Sequence, residues 1–178
     1  LRQMTGESFI IDSEKKMSFT RDQLVEVLTY IKDCYDGGVF EPAEDSATFK
    51  GQIHTNPKWM DGKFVFAYGP SSSINLLMDA VPEAECTVVQ MPMAKDRIND
   101  GFFADTPQYM TVNKNSEHVE EAVDFLNYFY NSAEAQETLK DVRSIPPTST
   151  ARQLCADKGL LNQTVVDAVD LAAGLNGR

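Results

Sequence analysis

Three short strings in a fixed order constrain what this chain can fold into. They are GKFVFAYGP at residues 62–70, TVVQMP at residues 87–92 and YMTVNKNSEHVEEAVDFLNYFYNSAEAQ at residues 109–136. Each contains a short apolar run followed by a turn with Pro, Gly or Asn. The first and third continue into helical periodicity. Strands and helices in this order predict an α/β fold with a small mixed sheet flanked by helices.

Element boundaries follow from periodicity and from capping residues. Thr20 and Gln23 have the spacing of a capping box, which predicts a helix over residues 21–36. The aromatic run at residues 64–68 predicts a strand buried on both faces. Further strands are predicted at 87–90 and 109–112, and further helices at 71–81, 119–130, a stretch after Ser132, 151–157 and 163–173.

The charge balance argues against several classes of partner. The 178 residues carry 16 basic and 27 acidic side chains, for a net charge of −11. A nucleic-acid site needs a basic face that displaces counterions, so no nucleic-acid partner is expected. No apolar run reaches the roughly 20 residues of a membrane span. We expect any export signal to lie upstream of Leu1.

The reactive residue types form no catalytic or metal-binding pattern. Cys34, Cys86 and Cys155 are far apart and have no CxxC or Cys/His spacing, so no metal and no cofactor are expected. Cys34 and Cys86 fit small core positions, and the spacing leaves open whether any two cysteines form a disulfide. The serines at residues 71–73 lie outside a G-x-S-x-G elbow. We therefore predict that the chain is not an enzyme.

The same strings resemble sugar-binding members of the extracellular solute-binding proteins that serve ABC importers. In those relatives a Gly-Lys strand leads through a Gly-Pro turn into a helix, here Gly69-Pro70, and a later strand ends in proline, here Pro92. The resemblance continues through NKNS at 113–116, EAVDFL at 121–126, SAEAQ at 132–136 and Ile145-Pro146. It covers residues 20–150, and the order and spacing of the strings carry more weight than any single one.

The resemblance implies a periplasmic-binding-protein-like fold of type II, in which residues 1–178 form one α/β lobe. The matched strings belong to the C-terminal lobe, so the N-terminal lobe and the hinge return are expected outside this sequence. The implied function is extracytoplasmic binding of a mono- or oligosaccharide and its delivery to transporter permease subunits in the membrane. The implied location is periplasmic or cell-surface, with any lipid anchor upstream of Leu1. Two alternatives remain open: a binder of a non-sugar polar solute, and an interaction or scaffold domain without a small ligand.

Two loops supply the candidate ligand contacts. Gly69, Ser71 and Ser72 lie where a strand meets a helix N-terminus, and the free N–H groups and hydroxyls there can bond a polar ligand. N-capping by serine is the competing interpretation. Members of the family carry a stacking aromatic just after Gly-Pro, whereas this chain has serine. The other candidates are Tyr68, Phe102 and Phe103 for stacking, and Arg143 as a bidentate clamp or, alternatively, a solvated surface arginine.

Overall fold

The chain divides into two compact units. A computed structural model describes residues 1–11, 13–102, 109–142 and 144–175. Unit 1 comprises Leu1–Pro57, Gln90–Ala104 and Ala172–Arg178, and unit 2 comprises Lys58–Val89 and Asp105–Leu171.

Unit 1 combines one long helix with several short elements. Its helices and turns are α1 (Arg2–Thr5), α2 (Arg21–Asp36), α3 (Ala43–Ala47) and a 3₁₀ turn at Ile53–Thr55. Strands β1 (Ile10–Ile11) and β2 (Lys16–Met17) form an antiparallel hairpin. Among its described residues, Cys34 and Asn56 are buried.

Helix α2 begins and ends where the capping residues predict. The Thr20 hydroxyl accepts from the Gln23 N–H at 3.2 Å, and the Gln23 side chain accepts from the Thr20 N–H at 2.8 Å. This reciprocal pair satisfies two N–H groups that the first turn leaves without helical partners. At the other end the Gly37 N–H donates to the Asp33 carbonyl, and Gly38 follows with a φ of 70° that favours glycine. The prediction of a capped helix over residues 21–36 is confirmed.

Unit 2 is built mainly from helices. They are α4 (Pro57–Met60), a 3₁₀ turn at Ser71–Ser73 that continues into α5 (Ile74–Asp79), α6 (Val119–Asn131), α7 (Ala133–Leu139), α8 (Ser149–Asp157) and α9 (Gln163–Ala173). Helices α6, α7 and α8 pack against one another in all three pairings. Its buried side chains include Ala135, Gln136, Ala151, Cys155 and Val165. Each predicted helix is present, and the bounds differ from the prediction by a few residues at most.

The three predicted strands are not formed within the described residues. Residues 64–68, 87–90 and 109–112 adopt neither helix nor strand, and the described sheet consists of β1 and β2. The prediction that 64–68 is buried on both faces is wrong, because Val65 is 83% and Phe66 75% exposed. A strand pairs its N–H and C=O groups with a neighbouring strand. No described residue provides such a neighbour for these segments.

The helices are short in comparison with a bilayer. Among the described residues, no helix combines the length and the apolar character needed to cross a membrane.

Candidate functional site

The Gly-Pro turn places three serines at the start of α5. Pro70 is extended, with φ −70° and ψ 156°, and the 3₁₀ turn at Ser71–Ser73 follows it. No described serine side chain caps α5, and the Ser73 hydroxyl instead donates to the Pro70 carbonyl at 2.8 Å. A Cβ at Gly69 would lie 3.0 Å from the Ser73 oxygen, so glycine allows this close approach. The capping interpretation of the serines is therefore wrong for the described structure.

The Ser71 hydroxyl joins the Gly-Pro turn to the Ile-Pro loop. Its oxygen lies 2.8 Å from the hydroxyl oxygen of Ser144, and either group can be the donor. Ser144 has a φ of 83°, in the left-handed region that side chains other than glycine rarely adopt. Its N–H donates to the Asp141 carbonyl at 3.0 Å, which closes the turn. The structure thus brings two sequence-distant loops of unit 2 into direct contact.

Ser144 is a candidate site residue that sequence reasoning missed. The available signal was its position between Arg143 and Ile145-Pro146, in the loop already considered for ligand contact. Nothing in sequence spacing indicates that a hydroxyl there meets Ser71, 73 residues away.

A second set of polar contacts holds the same two loops. The Asn75 side chain donates to the Asp141 carbonyl at 3.0 Å, and the Asn162 side chain donates to the Asn75 side-chain oxygen at 3.0 Å. The Asn162 N–H donates to the Asp141 carboxylate at 2.5 Å. Asp141 is 8% exposed, and a buried carboxylate is tolerated when hydrogen bonds compensate for lost hydration. Together, Asn75, Asp141 and Asn162 fix the start of α5 relative to the start of α9.

A cavity of about 430 Å³ opens beside these polar contacts in unit 2. Its volume lies within the range of small-molecule sites, roughly 300–1,000 Å³. The lining residues are Asn75, Leu76, Asp79, Asp141, Val142, Gly159, Leu160, Leu161 and Asn162. Asn75, Asp141 and Asn162 provide much of the polar lining, and their side chains are already engaged in the hydrogen bonds described above.

The residues predicted to stack on a ligand or to clamp it do not lie together in one part of the structure. Tyr68 is 81% exposed and belongs to unit 2, whereas Phe102 is partly buried and belongs to unit 1. Ser72 is partly buried within the 3₁₀ turn, and Gly69 is exposed before it. Phe103 and Arg143 lie outside the described residues. Tyr68 and Gly69 therefore directly precede Ser71 in unit 2, whereas Phe102 belongs to unit 1.

Gln3 of α1 holds the loop that carries Phe102. Its side-chain N–H₂ donates to the carbonyls of Pro92 at 3.1 Å and Asp100 at 3.4 Å, and its side-chain oxygen accepts from the Ala94 N–H at 2.8 Å. The Gln3 carbonyl also accepts from the Ile98 N–H at 2.7 Å. One residue of unit 1 thus bonds a loop about 90 positions away, which the sequence did not indicate.

The Cys155 thiol is poorly suited to nucleophilic chemistry. Cys155 is fully buried, and its burial raises the pKa of the thiol, with the Asp141 charge adding to the increase and Lys158 opposing it. Only the thiolate is a strong nucleophile. The Cys155 thiol instead points to the Gln136 carbonyl at 3.9 Å. In the part of the chain that the structure describes, no three His, Cys, Asp or Glu side chains are grouped so that they could hold a metal ion.

Sequence comparison identifies the family. A family profile described as bacterial extracellular solute-binding protein matches residues 4–168. This chain belongs to that family. The resemblance inferred from the strand, turn and helix strings is confirmed. The family consists of binding proteins, which agrees with the prediction of a non-enzyme. Among curated proteins, no sequence matches this one.

Several solved structures share the fold of this chain. A periplasmic oligogalacturonide-binding protein from Yersinia enterocolitica, in complex with saturated digalacturonic acid, is 24% identical and covers 99% of this chain with a TM-score of 0.89. A periplasmic solute-binding protein from Pectobacterium atrosepticum is 20% identical over 97% of the chain, with a TM-score of 0.79. A de novo designed cysteine esterase is 24% identical over 99%, with a TM-score of 0.77. These likenesses establish the predicted periplasmic-binding-protein fold, in a chain whose described residues are rich in helix and include one two-stranded sheet.

The chain spans less than half of each of these structures. The match covers 45% of the oligogalacturonide-binding protein, 44% of the designed esterase and 43% of the Pectobacterium protein.

Proposed function

We propose that this chain is one lobe of a two-lobed extracytoplasmic receptor that binds a carbohydrate and delivers it to the permease subunits of an ABC importer. Family membership over residues 4–168 supports a role in solute binding. The match to less than half of each solved structure supports a second lobe. The digalacturonic acid bound to the Yersinia protein favours an acidic oligosaccharide as the ligand class.

The observation that carries the proposal is the Ser71–Ser144 hydroxyl pair, together with an exposed tyrosine that lies shortly before Ser71 in the sequence. When one hydroxyl donates to the other, one O–H and several lone pairs remain for a ligand. Tyr68 lies three residues before Ser71 and exposes 81% of its surface, so its ring is available to stack on a sugar face. Gly69 and Ser72 complete this stretch. A saccharide presents both hydroxyls and an apolar ring face, and these groups match the two features.

The other predicted contacts extend the same proposal. Arg143 directly precedes Ser144 in the chain, and a guanidinium there would form bidentate hydrogen bonds with a uronate carboxylate. A local cation matters because the chain as a whole carries a net charge of −11, which repels an anionic ligand. Phe102 and Phe103 are proposed as stacking residues contributed by the second loop.

Calorimetric titration of the receptor polypeptide that contains these residues tests the proposal. Digalacturonate and maltose are the probes, and we expect digalacturonate to bind. Replacement Ser71→Ala should raise its Kd about 10-fold, because one hydrogen-bonding group is lost. Ser73→Ala is the matched control, since the Ser73 hydroxyl is engaged locally with Pro70, and it should change the Kd by about twofold at most.

Titration of the 178-residue chain alone tests whether the ligand is held between two lobes. A receptor Kd of about 1 μM corresponds to roughly −8 kcal/mol, and half of the contacts would leave about −4, near millimolar. Micromolar binding by this chain alone would contradict ligand capture between two lobes. Binding of a non-sugar solute only, or no binding of any small ligand by the receptor, would instead favour the other polar-solute or scaffold interpretations.

A further inference from the structure

The side-chain amide of Gln3 bonds a loop of unit 1 near both of its ends. The N–H₂ group donates to the carbonyl of Pro92 at the start of the loop and to that of Asp100 near its end. The amide oxygen accepts from the Ala94 N–H at 2.8 Å. Residues 92–100 adopt neither helix nor strand, so their backbone groups depend on partners of this kind.

The end of the loop is also packed closely against α1. Gly101 has a φ of 66°, and a Cβ there would lie 2.5 Å from the Gln3 Cγ. Asn99 connects the same end to Gly6, the residue that follows α1. Its side-chain amide donates to the Gly6 carbonyl at 3.3 Å, and its side-chain oxygen accepts from the Gly101 N–H at 2.7 Å. The backbone is thus held up to the residue before Phe102.

Phe102 directly follows the held end of this loop, and its side chain is partly buried. In the proposed function its ring stacks on the ligand. A loop that is already held in its binding conformation loses less conformational entropy when the ligand binds. The contacts of Gln3 therefore favour ligand binding through the loop, without a contact between Gln3 and the ligand.

We propose that Gln3 is a positioning residue for the ligand, because its amide holds the loop in the conformation that presents Phe102. The inference rests on the proposed function, in which Phe102 contributes a stacking surface. A glutamine side chain suits this task because it offers two N–H donors and an oxygen acceptor, and the loop uses both kinds of group. A purely structural role would stabilise unit 1 and leave the affinity for the ligand unchanged.

Calorimetric titration of the receptor polypeptide with digalacturonate tests the positioning role. Gln3→Ala should raise the Kd about fivefold, because the loop must then be ordered when the ligand binds. Gln52→Ala is the matched control, since Gln52 is an exposed glutamine of the same unit, and it should leave the Kd unchanged. An unchanged Kd in Gln3→Ala would overturn this inference alone. A parent receptor that binds no saccharide would contradict the proposed function, and the positioning role with it.

A double-mutant cycle determines whether Gln3 acts through the aromatic ring. Phe102→Ala alone should raise the Kd about 10-fold, and adding Gln3→Ala should then raise it by less than about twofold. Once the ring is absent, the conformation of the loop no longer matters to the ligand. A full fivefold effect of Gln3→Ala in the Phe102→Ala background would overturn the proposal.

Two glycine variants test the same role while Gln3 is kept. Gly101 and Gly38 have φ values of 66° and 70°, so replacement by alanine strains the backbone to a similar extent. Only Gly101→Ala would displace the Gln3 side chain, because no described atom lies within 4 Å of a Cβ at Gly38. Gly101→Ala should raise the Kd for digalacturonate about fivefold, and Gly38→Ala should leave it unchanged. Equal Kd values for the two variants would overturn the proposal.

Discussion

The helices α6, α7 and α8 of unit 2 differ in their surroundings from residues 64–68, 87–89 and 109–112, here called the open segments, although both sets are apolar in sequence. In the helices, Ala151 and Cys155 are fully buried, whereas Val65 and Phe66 remain mostly exposed. A helix pairs its backbone internally, so packing has to supply partners only for its side chains. A strand needs a neighbour for both its backbone and its side chains. The difference teaches that helices complete their packing within this chain, whereas residues 64–68, 87–89 and 109–112 have no backbone partner among the described residues.

Polar contacts reinforce the packed helices. The Gln136 side chain donates to the Phe129 carbonyl at 2.8 Å, near the end of α6, where helical partners run out. The Thr148 hydroxyl donates to the Tyr130 carbonyl at 3.2 Å and also accepts from the Ala151 N–H at 3.3 Å at the start of α8. These contacts give the backbone groups at the helix ends hydrogen-bond partners on neighbouring helices. The backbone groups of the open segments have no such partner among the described residues.

The largest effect should separate a buried valine from an exposed one. Val165→Asp places a charge at a fully buried position of α9 and should lower the free energy of unfolding by about 4 kcal/mol. Val65→Asp in the same 178-residue chain should change it by about 0.5 kcal/mol or less, since the side chain is 83% exposed. Urea denaturation measures both. Comparable losses for the two variants would mean that residues 64–68 are packed in this chain.

A smaller effect should distinguish bonded from solvated asparagines. The Asn162 side chain accepts from the Thr164 N–H at 2.9 Å, beside its contact with Asn75, and Asn162→Ala should cost about 2 kcal/mol. The matched control is Asn113→Ala, where an exposed side chain accepts from the Asn115 N–H at 3.0 Å and has no other hydrogen bond with a described residue. We expect a cost of about 0.5 kcal/mol there by urea denaturation. An equal cost for the two would contradict a specific role for the polar contacts around Asp141.

Local signals predicted the helices because a helix depends on nearby residues. The capping box of Thr20 and Gln23 fixed the start of α2, and Ser132 caps α7 by accepting from the Ala135 N–H at 3.1 Å. The strand predictions failed for the opposite reason. Residues 64–68 have strand-forming composition, but a strand requires a partner that composition does not identify.

The candidate site was only partly predictable for a related reason. Ser71 was predicted from its position after Gly69-Pro70, yet its partner Ser144 lies 73 residues away. Gln3 is the clearer case, since nothing in α1 signals that its amide holds the loop at residues 92–100. Contacts between side chains distant in sequence depend on the folded arrangement, and periodicity carries no information about them.

The caps of α8 and α2 should differ by a smaller amount in their contribution to stability. Thr148→Ala removes both the cap of α8 and a contact with α6, so it should cost about 1.5 kcal/mol. Thr20→Ala removes an exposed local cap on α2, and its cost should be about 0.7 kcal/mol. Thermal unfolding with matched urea titrations measures the difference. A larger loss for Thr20 would show that local capping outweighs contact between the helices.

The smallest effect concerns the pH dependence of stability. Burial raises the pKa of the Cys155 thiol, so the folded chain keeps the thiol proton to a higher pH than the unfolded chain does. This contribution to stability is fully present below the unfolded thiol pKa of about 8.5 and is lost as the pH rises towards the folded value. The loss attributable to Cys155 between pH 7.5 and pH 9.5 should be at most about 1.4 kcal/mol.

Comparison of two cysteine variants isolates that contribution from other groups that titrate in the same range. Cys155→Ala should reduce the fall in unfolding free energy between the two pH values. Cys86→Ala, at a partly buried position just before the segment at residues 87–89, should leave it unchanged. If the fall were the same in Cys155→Ala as in the parent chain, the thiol would be hydrated in solution. That result would contradict the close packing of α6, α7 and α8, because water can reach Cys155 only if α8 separates from its neighbours.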